Sequence, residues 1–156
     1  MKEKRDLKVQ AIERGTVIDH IKAGQALNVL RILGISIAFR ATISFVMNAP
    51  GGKGKKDVVK IESKELNVEE LNRIALIAPK ATINIIRDYE VVQKNEVVLP
   101  SYVEGVVRCN NSSCISNSNE PIKSKFTVLQ SEEEGVTLQC LYCEHVISEN
   151  LAENLL

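Results

Sequence analysis

Four cysteines stand in the last third of the chain as Cys109-x4-Cys114 and Cys140-x2-Cys143, with 25 residues between the pairs. Two close pairs joined by a spacer that can fold back on itself is how a tetrahedral four-cysteine zinc site is written. Each pair sits on a short turn, and the spacer returns the chain so that four thiolates meet one ion. Four soft thiolates leave no open coordination position, so such a site is structural and not catalytic. Two disulfides, or four unrelated core thiols, are the competing readings. Disulfides need an oxidising compartment, and Met1-Lys2-Glu3-Lys4-Arg5 leads into no apolar signal segment, so a cytoplasmic chain is expected. Spacing and compartment together point to one Zn2+ per chain on Cys109, Cys114, Cys140 and Cys143. His145 lies just past the last cysteine, but four thiolates already fill the tetrahedron.

The remaining composition narrows the class. Lys plus Arg equals Asp plus Glu at 20 each, so no net field draws the 156-residue chain to nucleic acid or to an anionic membrane. No apolar run approaches the ~18 residues of a spanning helix. Hydrophobic residues make up 44%, which fits a globular chain, and with no Trp, three Phe and three Tyr its cores must be aliphatic.

Along the chain, Leu7, Val9 and Ala11 alternate with Lys8 and Gln10 at strand period, Gly15 punctuates, and Thr16 to Ile21 resumes as a strand. Ala26, Leu27, Leu30 and Leu33 fall at helical spacing, with Gly34 placed for a left-handed cap. Ile43, Phe45 and Met47 mark a further strand, residues 49–56 read as a connection, and Val58 to Ile61 as the next strand. Asn67 caps a second helix with Glu70 positioned to reach back. Val68, Leu71, Ile74, Ala75 and Ala78 form its expected apolar stripe, and Pro79 stops it. Thr82 to Ile86 and Tyr89 to Val92 are strands around an Arg87-Asp88 turn. This order predicts an α+β fold: a ferredoxin-like antiparallel sheet with two helices on one face, followed by a small all-β four-cysteine zinc domain. The junction falls near Pro100, giving domains 1–99 and 100–156. After it, Val106-Val107, Lys125 to Leu129 and Val136 to Leu138 read as short strands, with Glu132-Glu133-Glu134-Gly135 a turn. About 55 residues are short for an unaided core, so the metal acts as the staple.

Candidate sites outside the cysteines are sparse. The Gly51-to-Lys56 loop fails as a phosphate loop, because neither Gly-Lys step precedes Ser or Thr and it joins strands instead of opening a helix. Asp19-His20 reads as a strand end whose Asp caps a helix, Lys60 as a solvent-facing strand position, and Lys94 alone says nothing. His20 and His145 have no nucleophile motif around them, so no catalytic residues are nominated and the chain is expected not to be an enzyme by itself.

Val9-Gln10-Ala11-Ile12, Arg14-Gly15-Thr16-Val17-Ile18-Asp19-His20-Ile21, residues 56–62, residues 78–84 and Tyr89-Glu90-Val91-Val92-x-Lys94 resemble the regulatory chain of aspartate carbamoyltransferase. So do the runs 109–115 and 140–144, while residues 51–55 and 117–134 depart. The resemblance implies a non-catalytic subunit of pyrimidine biosynthesis that binds nucleoside triphosphates (CTP, ATP) in its first domain. It implies that the zinc domain docks on the catalytic chain, with a regulatory-chain homodimer inside a larger hetero-oligomer. Residues at matching positions then surround the nucleotide. Val9, Ala11, Ile12 and Val17 line the base with Asn84, Ile86, Tyr89 and Val91. Asp19 and Lys60 hold ribose and base edges, and His20 and Lys94 face the phosphates. Cationic donors suit phosphate oxygens, and strand backbone groups can read a pyrimidine edge. The alternative is a zinc-ribbon nucleic-acid-binding protein, which the Asn110-Asn111-Ser112-Ser113 knuckle and zero net charge disfavour. No membrane or nucleic-acid partner is expected.

Overall fold

The computed structural model describes residues 11–35, 39–51, 54–131, 135–148 and 151–156. Its first part runs β1 (Gly15–Lys22), α1 (Ala26–Ile32), β2 (Ile43–Gly51), β3 (Gly54–Glu62), α2 (Val68–Ile77), β4 (Thr82–Arg87) and β5 (Glu90–Glu96). These strands form a five-stranded antiparallel sheet in the order β2-β3-β1-β4-β5. Strand alternation decides the two faces. Ile18, Val59, Ile61, Ile83 and Ile85 point to one face and are buried against Ala26 and Val29 of α1 and Ile74 and Ala75 of α2. Both helices therefore cover one face of the sheet, and the other carries Val17, Asp19, Lys60, Asn84 and Lys94.

Local chemistry sets the helix ends. At α1 the Gly34 amide bonds the Arg31 carbonyl (3.0 Å), the Ile35 amide bonds Leu30 (3.1 Å), and Gly34 has φ +76, a Schellman closure. In α2 the Asn67 side chain accepts from the Glu70 amide (2.8 Å) while the Glu70 carboxylate accepts from the Asn67 amide (3.0 Å). This reciprocal capping box satisfies two amides that have no partner inside the helix. Asn67→Ala is expected to cost about 1 kcal/mol, read as a lowered urea midpoint.

The second part holds β6 (Tyr102–Glu104), β7 (Lys125–Ser131), β8 (Gly135–Cys140) and β9 (Val146–Ile147), an antiparallel sheet in that order. Its core gathers Val103, Val107, Phe126, Leu138 and Ile147 with Cys109, Cys114 and Cys140, and also takes in Ile32 of α1 and Leu76 of α2. Leu33, Ile77 and Leu99 pack against both cores, so the apolar interior runs from one sheet to the other.

Several expectations change in detail. Val68 is 71% exposed and Leu27 55%, so neither belongs to its helix's buried stripe; Leu76 and Val29 do. Both helices are gripped from two sides, by the sheet and by the second core, so their buried faces are wider than one stripe. Residues 49–56 are the connection between two strands, as expected, but strand pairing runs into it: Ala49 pairs with Lys56 and Pro50 with Lys55, a hairpin. Pro50 is tolerated because β2 is an edge strand. Strand β5 runs on through Asn95 and Glu96, held by pairing to Ile83 and Thr82. The turn before it is Asp88-Tyr89, both left-handed (φ 52 and 65), as a two-residue hairpin requires. Val106-Val107 is no strand; Val107 makes one isolated bridge to Leu155, and the strand lies earlier, at Tyr102–Glu104. The strand expected over Leu7 to Ala11 falls outside the described residues except Ala11, which carries no strand pairing.

Candidate metal centre and the open sheet face

Two knuckles meet beside the second core. The Sγ atoms of Cys109, Cys114, Cys140 and Cys143 all lie within 4.8 Å of one another. Cys109 and Cys143 approach to 3.7 Å, and Cys114 and Cys140 to 3.6 Å. None is in a disulfide. A tetrahedron of thiolates around zinc has Sγ–Sγ edges of about 3.8 Å, from a Zn–S bond of ~2.3 Å, so the donor set fits. The backbone shapes the knuckles. The Cys114 amide bonds the Asn111 carbonyl (3.0 Å), and the Glu144 amide, at a residue with φ 64, bonds the Cys140 carbonyl (3.0 Å). The Asn117 side-chain amide donates to the carbonyls of both Cys109 and Asn111 at 2.8 Å, clasping the wider first turn.

The thiols are not equivalent. Burial pushes Cys109 up to about 12 and raises Cys140, while the Asn111 side chain and the His145 amide bring Cys143 down to about 6. Amide and hydroxyl contacts to sulfur, Tyr142 N–H on Cys140 (3.4 Å) and the Ser116 hydroxyl near Cys114 (3.1 Å), suit thiolates that share a cation.

On the first sheet the register brings separated residues into one line. Lys60 lies opposite Val17, Val17 opposite Asn84, and Asn84 opposite Lys94. Directly paired residues share a face, so these four cross strands β3, β1, β4 and β5 on the side away from the helices. The neighbouring row places Ile86 between Gly15 and Val91. On the other side Asp19 pairs with Thr82, whose hydroxyl lies 3.2 Å from His20 Nδ1. His20 is exposed at φ 58, where the β1–β3 register slips between Ile18 and Ile21. The extra residue of this bulge re-aims the side chains after it, which is why Ile21 returns to the core. Tyr89 stands at the β4–β5 turn, 66% exposed, with its amide on the Glu13 carbonyl (2.9 Å). Ala11 is exposed and Ile12 buried at the entry to β1; Val9 lies outside the described residues.

Asp19 and Lys60 feel each other and their partial burial. Burial works to raise the Asp19 carboxyl, but the Lys56 ammonium at 2.9 Å and the His20 amide at 2.6 Å outweigh it and hold it below its ordinary value. Burial lowers the Lys60 amine, against the pull of the Asp19 carboxylate. The stability this gives through Asp19 is present above its unfolded pKa, near 3.8, and lost as pH falls through the lower folded value.

Two participants escape a reading of the sequence by motif. Lys56 pairs with Asp19, and Asn117 clasps the first knuckle. Neither carries a signal in the run of residue types.

An open sheet face is joined through a shared apolar interior to a four-thiol module. The family model for the aspartate carbamoyltransferase regulatory chain, allosteric domain, matches residues 7–98. That for the metal binding domain of the same chain matches 101–153. Proteins named aspartate carbamoyltransferase regulatory chain from Methanosarcina barkeri and Methanosarcina mazei are each 88% identical over 156 residues, covering all of both chains. One from Methanococcoides burtonii is 59% identical over 152 residues, 97% of this chain and 95% of that one. The chain belongs to the aspartate carbamoyltransferase regulatory chain family, a non-catalytic subunit of the enzyme complex. Among the described residues no helix is long and apolar enough to cross a membrane.

Proposed function

We propose that the chain, in the cytoplasm, binds nucleoside triphosphates such as CTP and ATP on the open face of the first sheet and so modulates the catalytic chain held by its metal module. The division is a nucleotide-binding domain over 1–99 and a zinc-binding docking domain over 100–156. The observation that carries this reading is the Lys60-Val17-Asn84-Lys94 row. It sets a cation at each end of a line with an apolar surface and an amide between them, a layout suited to a base flanked by anionic groups. Asp19 and His20 flank the row, and Ile86, Val91 and Tyr89 extend its apolar side; Ala11, Ile12 and Val9 precede it in sequence. Zn2+ is the metal best matched to the four thiols of Cys109, Cys114, Cys140 and Cys143. The knuckles carry exposed Ile115 (49%), Leu141 (53%), Tyr142 (40%) and Val146 (46%), an apolar rim for the catalytic chain with Asn111, Ser113 and Glu144 beside it. The regulatory chain pairs with a second copy within the larger assembly.

Titration calorimetry with CTP and with ATP tests the site. Lys60→Ala removes a charge-assisted bond and is expected to weaken binding by about 1.5–3 kcal/mol, roughly 10- to 150-fold. Unchanged affinity for both nucleotides refutes the site.

A further inference from the structure

Among the described residues, Asp57 is the one charged side chain that is completely buried, and neither candidate site uses it. Its Oδ2 accepts from the amides of Gly24 (2.9 Å) and Ala26 (2.8 Å), and its Oδ1 accepts from the Asn48 amide (2.8 Å). A carboxylate is costly to bury unless it is hydrogen-bonded throughout, and here three amides from two other segments meet it. Gly24 and Ala26 lie where β1 turns into α1, and the Ala26 amide is among those a helix start leaves without partners. Asn48 belongs to β2.

The ladder is irregular on both sides of Asp57. On β1 the register slips between Ile18 and Ile21, with His20 at φ 58; on β2 it slips between Val46 and Ala49, with Asn48 at φ 60. The β1 bulge carries Asp19 and His20. Lys56, the neighbour of Asp57 and aimed at the opposite face, holds Asp19 at 2.9 Å. Residues 56 and 57 of β3 thus grip the open face with one side chain and the start of α1 with the next. Helix α1 spans seven residues, roughly 10 Å, and presents Ile32 near its far end to the second core.

We propose that Asp57 is a positioning residue that couples the nucleotide-bearing bulge to α1 and, through Ile32, to the metal module. The inference rests on the nucleotide reading above. A ligand that favours one arrangement of Asp19, His20 and Lys56 biases β3 at residues 56–57. The rigid carboxylate tether carries that bias to the first amides of α1, and the helix transmits it as a short rod. A ligand shifts such an equilibrium only by its differential affinity for the two arrangements, so cutting the tether removes the shift and leaves the contacts of the nucleotide in place.

The test uses the chain assembled with its catalytic partner. Asp57→Asn keeps the volume, but its amide nitrogen only donates, so either Asn48 or the start of α1 loses its bond. Nucleotide affinity is expected to stay within about threefold of wild type, while the nucleotide-induced shift in substrate half-saturation, ordinarily about 5- to 150-fold, falls below about twofold. Ile83→Val loosens the same core without touching the tether and is expected to keep the shift. A full shift in Asp57→Asn, a parallel loss of binding and shift, or an equal loss in Ile83→Val overturns the proposal. Hydrogen exchange on the unmutated assembly decides the matter even where Asp57→Asn does not fold. Saturating CTP or ATP is expected to slow exchange at Gly24, Ala26 and Asn48. Binding with unchanged exchange at these amides overturns the role of Asp57 alone, whereas no binding to the unmutated chain overturns the nucleotide reading and this inference with it.

Discussion

Removing the metal is expected to unfold the second sheet and release the chain from its catalytic partner, with nucleotide binding retained. Cys109, Cys114 and Cys140 are themselves core residues, packed with Phe126, Leu138 and Val107, so the four-thiol site and the hydrophobic interior are one structure. A core of this size supplies only about 3–5 kcal/mol unaided. Apparent binding free energies for structural zinc run to about 10–16 kcal/mol, so the metal term dominates. The first sheet keeps its own core but loses the cover over Ile32 and Leu76. Exposing each costs about 1.5–3 kcal/mol, and its denaturant midpoint drops without the sheet being lost. Elemental analysis is expected to give one zinc per chain in protein purified under reducing conditions. After chelation, or in Cys114→Ala, β7–β8 amides exchange freely and co-sedimentation with the catalytic chain disappears. Retained assembly after complete metal loss contradicts this account.

The elements most legible in the sequence are those written locally. The knuckle spacing stated the four-thiol cluster, Asn67 with Glu70 stated the capping box, and Gly34 stated the end of α1. The helix-strand order also points to an antiparallel sheet with both helices on one face. What escaped is set by tertiary register. Period-two reasoning cannot see a bulge, so the extra residue at His20, and the left-handed Asn48 across from Asp57, had no signal in the run of residue types. Val68 and Leu27 fall outside the buried faces because each helix answers to two cores, and a single stripe cannot express that. The Lys60-Val17-Asn84-Lys94 line is invisible until four strands are paired. In the sequence only the family resemblance connects these residues; no property of the isolated lysines does.

Gly15 punctuates the sequence, and the structure makes it a demanding position in the first sheet. It opens β1 between Glu62 of β3 and Ile86 of β4, at φ +144, a conformation that L side chains rarely adopt. A Cβ there would stand 2.1 Å from the Ile61 carbonyl oxygen, 3.0 Å from the Glu62 Cα and 3.1 Å from the Ile61 carbonyl carbon. Even a close C–H···O contact keeps carbon and oxygen about 3.3 Å apart, so the overlap is more than an ångström. All three obstacles are backbone, and none can swing aside as a side-chain tip would. Gly15→Ala must therefore pull β1 off β3 or rotate its own backbone, and either cost is on the order of 3–5 kcal/mol. Val17 and Asp19 follow two and four residues later, so a displaced β1 also breaks the row from Lys60 to Lys94. Stability and nucleotide affinity are expected to fall together. Gly24→Ala supplies the control: its φ is +91, but a Cβ there meets nothing within 4 Å. It should cost only the left-handed strain, about 1–2 kcal/mol, and leave the row intact. The check is a pair of urea titrations with CTP affinity measured on each variant. Equal midpoint shifts would show that backbone angle alone governs both glycines and that the close approach of β1 to β3 contributes nothing.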